Sequence, residues 1–246
     1  MSLRVTSPQV PLSSSVTSSP PATAPSPKTA PVPRAPALSP AITRRLGDVI
    51  PANMQLDARW ENLRLARETS KTRAPGITPS LMIAWCVTRA MALHPAARRV
   101  IAHDGTIAEQ TVFDLGVAVA LEGDRLATAV VKHASQLDWP SFAAAYQQAI
   151  ADTRAGKITE VQAPLNLTSL GAFGVEIATP IVVPPAMGTL FVGTTHTRMM
   201  SAGGVVFPTD VVTLSLTFDH RVVNGSGAAV FLHTVRKQIE EFQLPG

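Results

Sequence analysis

Between positions 211 and 218 the chain alternates without a break: Val212, Leu214, Leu216 and Phe218 are apolar, and Thr213, Ser215 and Thr217 carry hydroxyls. A period of two is that of a strand, so this segment predicts a sheet with one apolar and one polar face. Downstream, Leu232, Val235, Ile239 and Phe242 recur at helical spacing. They predict a helix from about Ser226 that lays a single stripe on a core. Further upstream, Thr78 and Pro79 form an N-cap and first-turn pair. They open a helix that runs to His94, stops before Pro95 and is apolar nearly all round, which places it deep in the fold. Asp138-Trp139-Pro140 opens another helix through Phe142, Tyr146 and Ile150, closed by Gly156. A shorter helix is expected over 60–68. Strands are expected over 115–121 and 126–131, joined by a turn at Gly123-Asp124, and again over 165–167 and 189–194. Strands with several covering helices predict an α+β sandwich.

The first forty residues break this pattern. They hold ten of the 21 prolines and nine serines, with no apolar periodicity. Such a segment buries too little surface to offset its ordering entropy, so 1–40 reads as a disordered linker and 41–246 as one folded domain. The pI of 9.7 suggests nucleic acid, but Arg4, Lys28 and Arg34 lie in the linker. From position 41 there are 18 basic and 17 acidic residues. With no basic stripe or aromatic platform, nucleic-acid binding is not expected. No stretch reaches the roughly 20 apolar residues of a membrane span. The single cysteine, Cys86, lies among apolar neighbours and reads as a buried, inert thiol. Cytoplasm, or a mitochondrial matrix, is the compartment expected.

The alternating strand ends in Phe218-Asp219-His220-Arg221-Val222-Val223-Asn224-Gly225. It delivers a histidine to its end, and a turn leads on into a helix. Rigid elements on both sides are what a general base needs. A neutral imidazole can take the proton of a thiol as that thiol attacks. Taken alone, such a histidine is weak evidence and reads first as a hydrogen-bonded turn residue. The remaining histidines have no companion at metal-ligand spacing, and no metal site is expected.

The whole string resembles the Asp-His-Arg-x-x-Asp-Gly signature of dihydrolipoamide acyltransferases, itself similar to the His-x-x-x-Asp-Gly of chloramphenicol acetyltransferases. Leu167-Thr168-Ser169-Leu170-Gly171-Ala172-Phe173-Gly174 resembles that family's Ser-Asn-Leu-Gly-x-x-Gly segment. Thr179-Pro180-Ile181-Val182-Val183-Pro184-Pro185 with Leu190-Phe191-Val192-Gly193, Asp114-Leu115-Gly116-Val117-Ala118-Val119-Ala120, and Ile42-Thr43-Arg44-Arg45-Leu46 resemble further segments, all in family order.

The resemblance implies a chloramphenicol acetyltransferase-like sandwich, a mixed or antiparallel sheet under helices, assembled as a homotrimer, with a larger cage as the further option. It implies an acyl group moved between dihydrolipoamide and coenzyme A, in a channel between subunits. The lipoyl group would be carried on another chain or domain, and the decarboxylase and dihydrolipoamide dehydrogenase of a 2-oxo acid dehydrogenase complex would be partners. By the same resemblance His220 is the general base and Thr168 donates a hydrogen bond to the tetrahedral oxyanion. Asn224 stands where the family usually has an aspartate that pairs with an arginine near the domain start, here Arg44 or Arg45. Two other readings keep the same fold: a non-catalytic scaffold subunit, and a free-standing acetyltransferase for a small acceptor.

Overall fold

A computed structural model describes residues 40–71, 74–102, 104–122, 125–157 and 161–245. Most of the linker, the expected turn at Gly123-Asp124 and His103 lie outside the described residues. The elements run in order as α1 (Pro40–Leu46), β1 (Pro51–Arg59), α2 (Glu61–Ser70), α3 (Pro79–Leu93), β2 (Arg99–Ile101), β3 (Ile107–Glu109), β4 (Leu115–Leu121) and β5 (Arg125–Val131). They continue with α4 (Trp139–Arg154), β6 (Leu165–Ser169), β7 (Gly188–Ala202), β8 (Val205–Asp219) and α5 (Gly225–Glu240). Six strands form a mixed sheet in the order β1-β8-β7-β6-β4-β5, and β2 and β3 form a separate small pair. The β6 strand is parallel to both β4 and β7, and the other pairings in the large sheet are antiparallel. The α+β sandwich expected from the pattern is the one found.

The alternation in β8 does what its period dictates. Val212, Leu214, Leu216 and Phe218 join the hydrophobic core, together with Leu190 and Val192 of β7, Leu165 and Leu167 of β6, and Leu115, Val117 and Val119 of β4. Residues of α2, α3, α4 and α5 complete this core. Helix α3 is its centre, with eight apolar side chains from Leu81 to Met91 buried, Cys86 among them. Burial pushes the Cys86 thiol far above its ordinary pKa, as befits a packing residue. Trp85 meets Trp139 and Phe142 edge to face, with centroids 5.5 and 5.3 Å apart. The caps are those expected: the Thr78 side chain accepts from Leu81 N, and that of Asp138 from Ser141 N.

Two local features shape the functional region. First, β4 and β6 pair only at Gly116–Asn166 and Val117–Leu167; beyond these residues the strands part and leave a crevice. Second, β7 and β8 run on past the sheet as a two-stranded arm, turned at Gly203-Gly204, both with positive φ. Two consecutive residues of that kind form the turn whose twist matches a hairpin. A register shift in β7 falls between Val192 and Thr195. There Gly193 lies so close beneath the Glu176 carbonyl oxygen that a Cβ would overlap it.

Candidate active site

His220 follows the last residue of β8 and is exposed. Its ring leans on Phe218, with centroids 5.6 Å apart, and its amide donates to the Ile50 carbonyl at 2.8 Å. The chain then turns: Val222 N donates to Asp219 O at 2.9 Å, and Asn224 begins α5. Asp219 lies on the polar face of β8, and its carboxylate is buried at 1% exposure. It takes Arg221 Nε and Nη2 at 3.0 and 2.6 Å, and the amides of Arg221 and Ile50 at 3.0 and 3.4 Å. Burial by itself raises a carboxyl pKa, but these bonds and the guanidinium charge outweigh it and hold Asp219 below the ordinary value.

Asn224 sits four residues after His220, and its task here is local. Its Oδ1 accepts from Gly227 N and Ser226 Oγ, both at 2.8 Å, which makes it the N-cap of α5. The expected pairing with Arg44 or Arg45 is not formed among the described residues. Arg45 instead borders a small cavity with Asp48 and Arg221. An amide that already accepts from two cap donors has little to offer a guanidinium, and a neutral one cannot balance its charge.

Thr168 is elsewhere. It occupies β6, half-exposed, on the rim of the crevice left where β4 and β6 part. The crevice holds about 550 Å³ and is bounded by Thr78 and Ser80 at the start of α3, by Tyr146, Gln147 and Arg154 of α4, and by Thr168 and Ser169. Tyr146 is buried at its wall, and burial moves its phenol pKa to about 12 against a weaker opposing pull from Arg154.

The sheet register sets the separation of Thr168 from His220. Thr168 faces Phe191, which faces Ser215, five residues before His220. Strand rise and spacing convert this to roughly 16 Å along the sheet and 10 Å across it, or about 19 Å. Neither side chain can span that gap. One chain therefore presents a base at one end of its sheet and a hydroxyl beside a crevice near the other.

The Asp219 anchor, the Ile50 contact and the crevice were not assigned roles by sequence reasoning. The alternation of β8 does put Asp219 on the polar face with Thr213, Ser215 and Thr217, all buried. That signal could have marked Asp219 as an anchored carboxylate rather than a surface one. Among the described residues no cluster of three metal-ligating side chains occurs, and no helix is long and apolar enough to cross a membrane.

A mixed sheet under a helical layer is also the fold of chloramphenicol acetyltransferase. The two folds superpose with a TM-score of 0.51 at 14% identity, over 81% of this chain and 94% of the other. Residues 42–245 match the family model for the catalytic domain of 2-oxoacid dehydrogenases acyltransferase, and the chain belongs to that family. It is similar to the dihydrolipoyllysine-residue acetyltransferase component of the acetoin cleaving system of Bacillus subtilis, with 34% identity over 72% of this chain and 46% of that protein. It spans less than half the length of the curated relatives it matches. Among solved structures, dihydrolipoamide acetyltransferase from Azotobacter vinelandii superposes with a TM-score of 0.73 at 23% identity. That match covers 81% of this chain and 85% of the other, and the work concerned the role of a serine, a histidine and an asparagine in its catalytic mechanism.

Proposed function

We propose that this domain transfers an acyl group between the thiols of dihydrolipoamide and coenzyme A, in sites each shared by two subunits of a trimer. The observation that carries the reading is the separation of His220 from Thr168 by about 19 Å of sheet. Two such groups can act on one thioester only if they come from neighbouring copies. A ring that apposes the Thr168 end of one sheet to the His220 end of the next meets that need with a single repeated contact. Residue spacing supports the same assignment. In the Azotobacter vinelandii enzyme the histidine follows the serine by 52 positions and precedes the asparagine by four. Thr168, His220 and Asn224 have these intervals here, with threonine keeping the hydroxyl.

The chemistry follows from the groups. His220 removes the proton of the attacking thiol as its sulfur adds to the thioester carbonyl. The oxyanion so formed accepts a hydrogen bond from the Thr168 hydroxyl. Collapse then expels the second thiolate, which recovers the proton from the imidazolium. One thioester replaces another, so no external energy source is needed. The crevice beside Thr168 offers room for an extended thiol arm, and Arg154 at its rim offers a cation for the phosphates of coenzyme A. Asn224 holds the first turn of α5 against the His220 turn. The decarboxylase and dihydrolipoamide dehydrogenase of a 2-oxo acid dehydrogenase complex are the proposed partners, in the cytoplasm or a mitochondrial matrix. The test is transfer from acetyl-coenzyme A to dihydrolipoamide, with other acyl groups in parallel. Turnover that disappears in His220→Ala supports the reading. A folded, associated wild type with no turnover on any acyl donor would leave the scaffold reading in its place.

A further inference from the structure

His220 has no side-chain hydrogen bond to hold its imidazole among the described residues, yet a base must be aimed. What is fixed is the backbone beneath it. Its amide is tied to Ile50 O, and the amide of the next residue, Arg221, is tied to Asp219 Oδ1. Asp219 Oδ1 also receives the Ile50 amide, so one carboxylate oxygen grips both the segment that leads into β1 and the residue after the histidine. Arg221 closes the arrangement from outside, with Nε shared between the two oxygens and Nη2 on Oδ2. Arg99 reaches in from β2 to the Val222 carbonyl at 3.2 Å, while Asp48 adds a favourable charge for Arg221. A fully buried carboxylate placed directly before an exposed histidine is costly unless paired in this way.

We propose that Asp219 is a positioning residue for His220, its carboxylate and the Arg221 guanidinium forming a clamp that sets the direction of the imidazole. The proposal rests on the reading of His220 as the base. An asparagine at 219 would keep an oxygen for the two amides, but it would turn an NH₂ group or a neutral oxygen toward the guanidinium. The Asx-type turn would survive and the clamp would loosen, a change in aim rather than in fold.

The experiment is steady-state transfer from acetyl-coenzyme A to dihydrolipoamide by Asp219→Asn and Arg221→Gln, with thermal unfolding and sedimentation on the same preparations. Both variants are expected to keep KM for each thiol and to lose roughly ten- to a hundredfold in kcat, the scale of a displacement of about 1 Å. Combined, they should lose little more than either alone, because the clamp acts as a unit. Arg221→Lys keeps the charge with poorer geometry and should fall between wild type and Arg221→Gln; it carries the test if Asp219→Asn does not fold. Wild-type kcat in folded, associated variants, or a loss confined to KM, would overturn the proposal. His220→Ala in the same assay separates the two levels. Turnover surviving there removes the reading itself, whereas an inactive His220→Ala beside a fully active Asp219→Asn removes only the clamp.

Discussion

At the scale of single residues, the proposed chemistry rests on an exposed imidazole, a distant hydroxyl and a buried carboxylate. His220→Ala is expected to lower the rate of acyl transfer by about 10²–10⁴. It should leave thermal stability near wild type, since its anchoring bond is made by the main chain. Asn224 separates two roles that sequence alone leaves merged. Asn224→Ala removes an N-cap and should cost about 1 kcal/mol, whereas Asn224→Asp keeps the acceptor and should hold or raise stability at the positive end of α5; thermal melts of both decide. Asp219 adds a pH dependence. Its pKa is depressed in the folded state, so its contribution is present above the unfolded carboxyl value and is lost as pH falls through the lower folded one. Asp219→Asn should therefore flatten the acid side of the stability curve, as read by melting temperature against pH. His220, Thr168 and Asn224 could be singled out as candidates because each stands in a motif. Asp219 was part of the same motif and its place on the polar face of β8 was readable, but its Ile50 partner, 169 positions away, was not.

At the scale of elements, β8, α3, α4 and α5 were legible because each carries one periodicity over many residues and has a recognisable cap. Strand β1 was not. Its inward positions are Ala52, Met54, Leu56 and Ala58, two of them alanines, and it begins at a proline. Only pairing with β8 makes it a strand. The outer halves of β7 and β8 were also missed, because Thr195 to Ala202 mixes hydroxyls, a histidine, an arginine and methionines without a buried face. Two substitutions probe the packing. Gly193→Ala would drive a methyl into the Glu176 carbonyl and displace the segment that follows Thr168. It should cost about 1–3 kcal/mol, as overpacking does, and lower activity with it. Cys86, only 1% exposed, should resist thiol reagents in the native protein and react fully once unfolded; native reactivity would show that α3 opens readily.

At the scale of the whole molecule, one chain leaves the proposed site incomplete and much apolar surface uncovered. The arm built by the outer halves of β7 and β8 exposes Met199 at 66%, Val205 at 64% and Val206 at 61%, while Phe173, five residues after Thr168, is 75% exposed. A two-stranded ribbon is marginal on its own, and apolar side chains in such number are unfavourable in water. The arm leaves the sheet at the Thr168 end. A neighbour that brings its His220 to that end also comes against the arm, so association that completes the site would cover these side chains. Removing residues 1–39 should leave both association and melting temperature within a few degrees of the full chain; a large fall would show that the linker docks on the domain.

The most direct measurement is complementation between two damaged chains. Thr168→Ala and His220→Ala, each assayed alone, should transfer acyl groups at a small fraction of the wild-type rate. When the two chains are produced together in equal amounts and assemble at random, about one interface in four joins an intact Thr168 to an intact His220. The mixture should then recover roughly a quarter of wild-type turnover. A mixture no more active than its parents, with mixed assembly demonstrated, would place both groups' work within one chain and contradict the shared site.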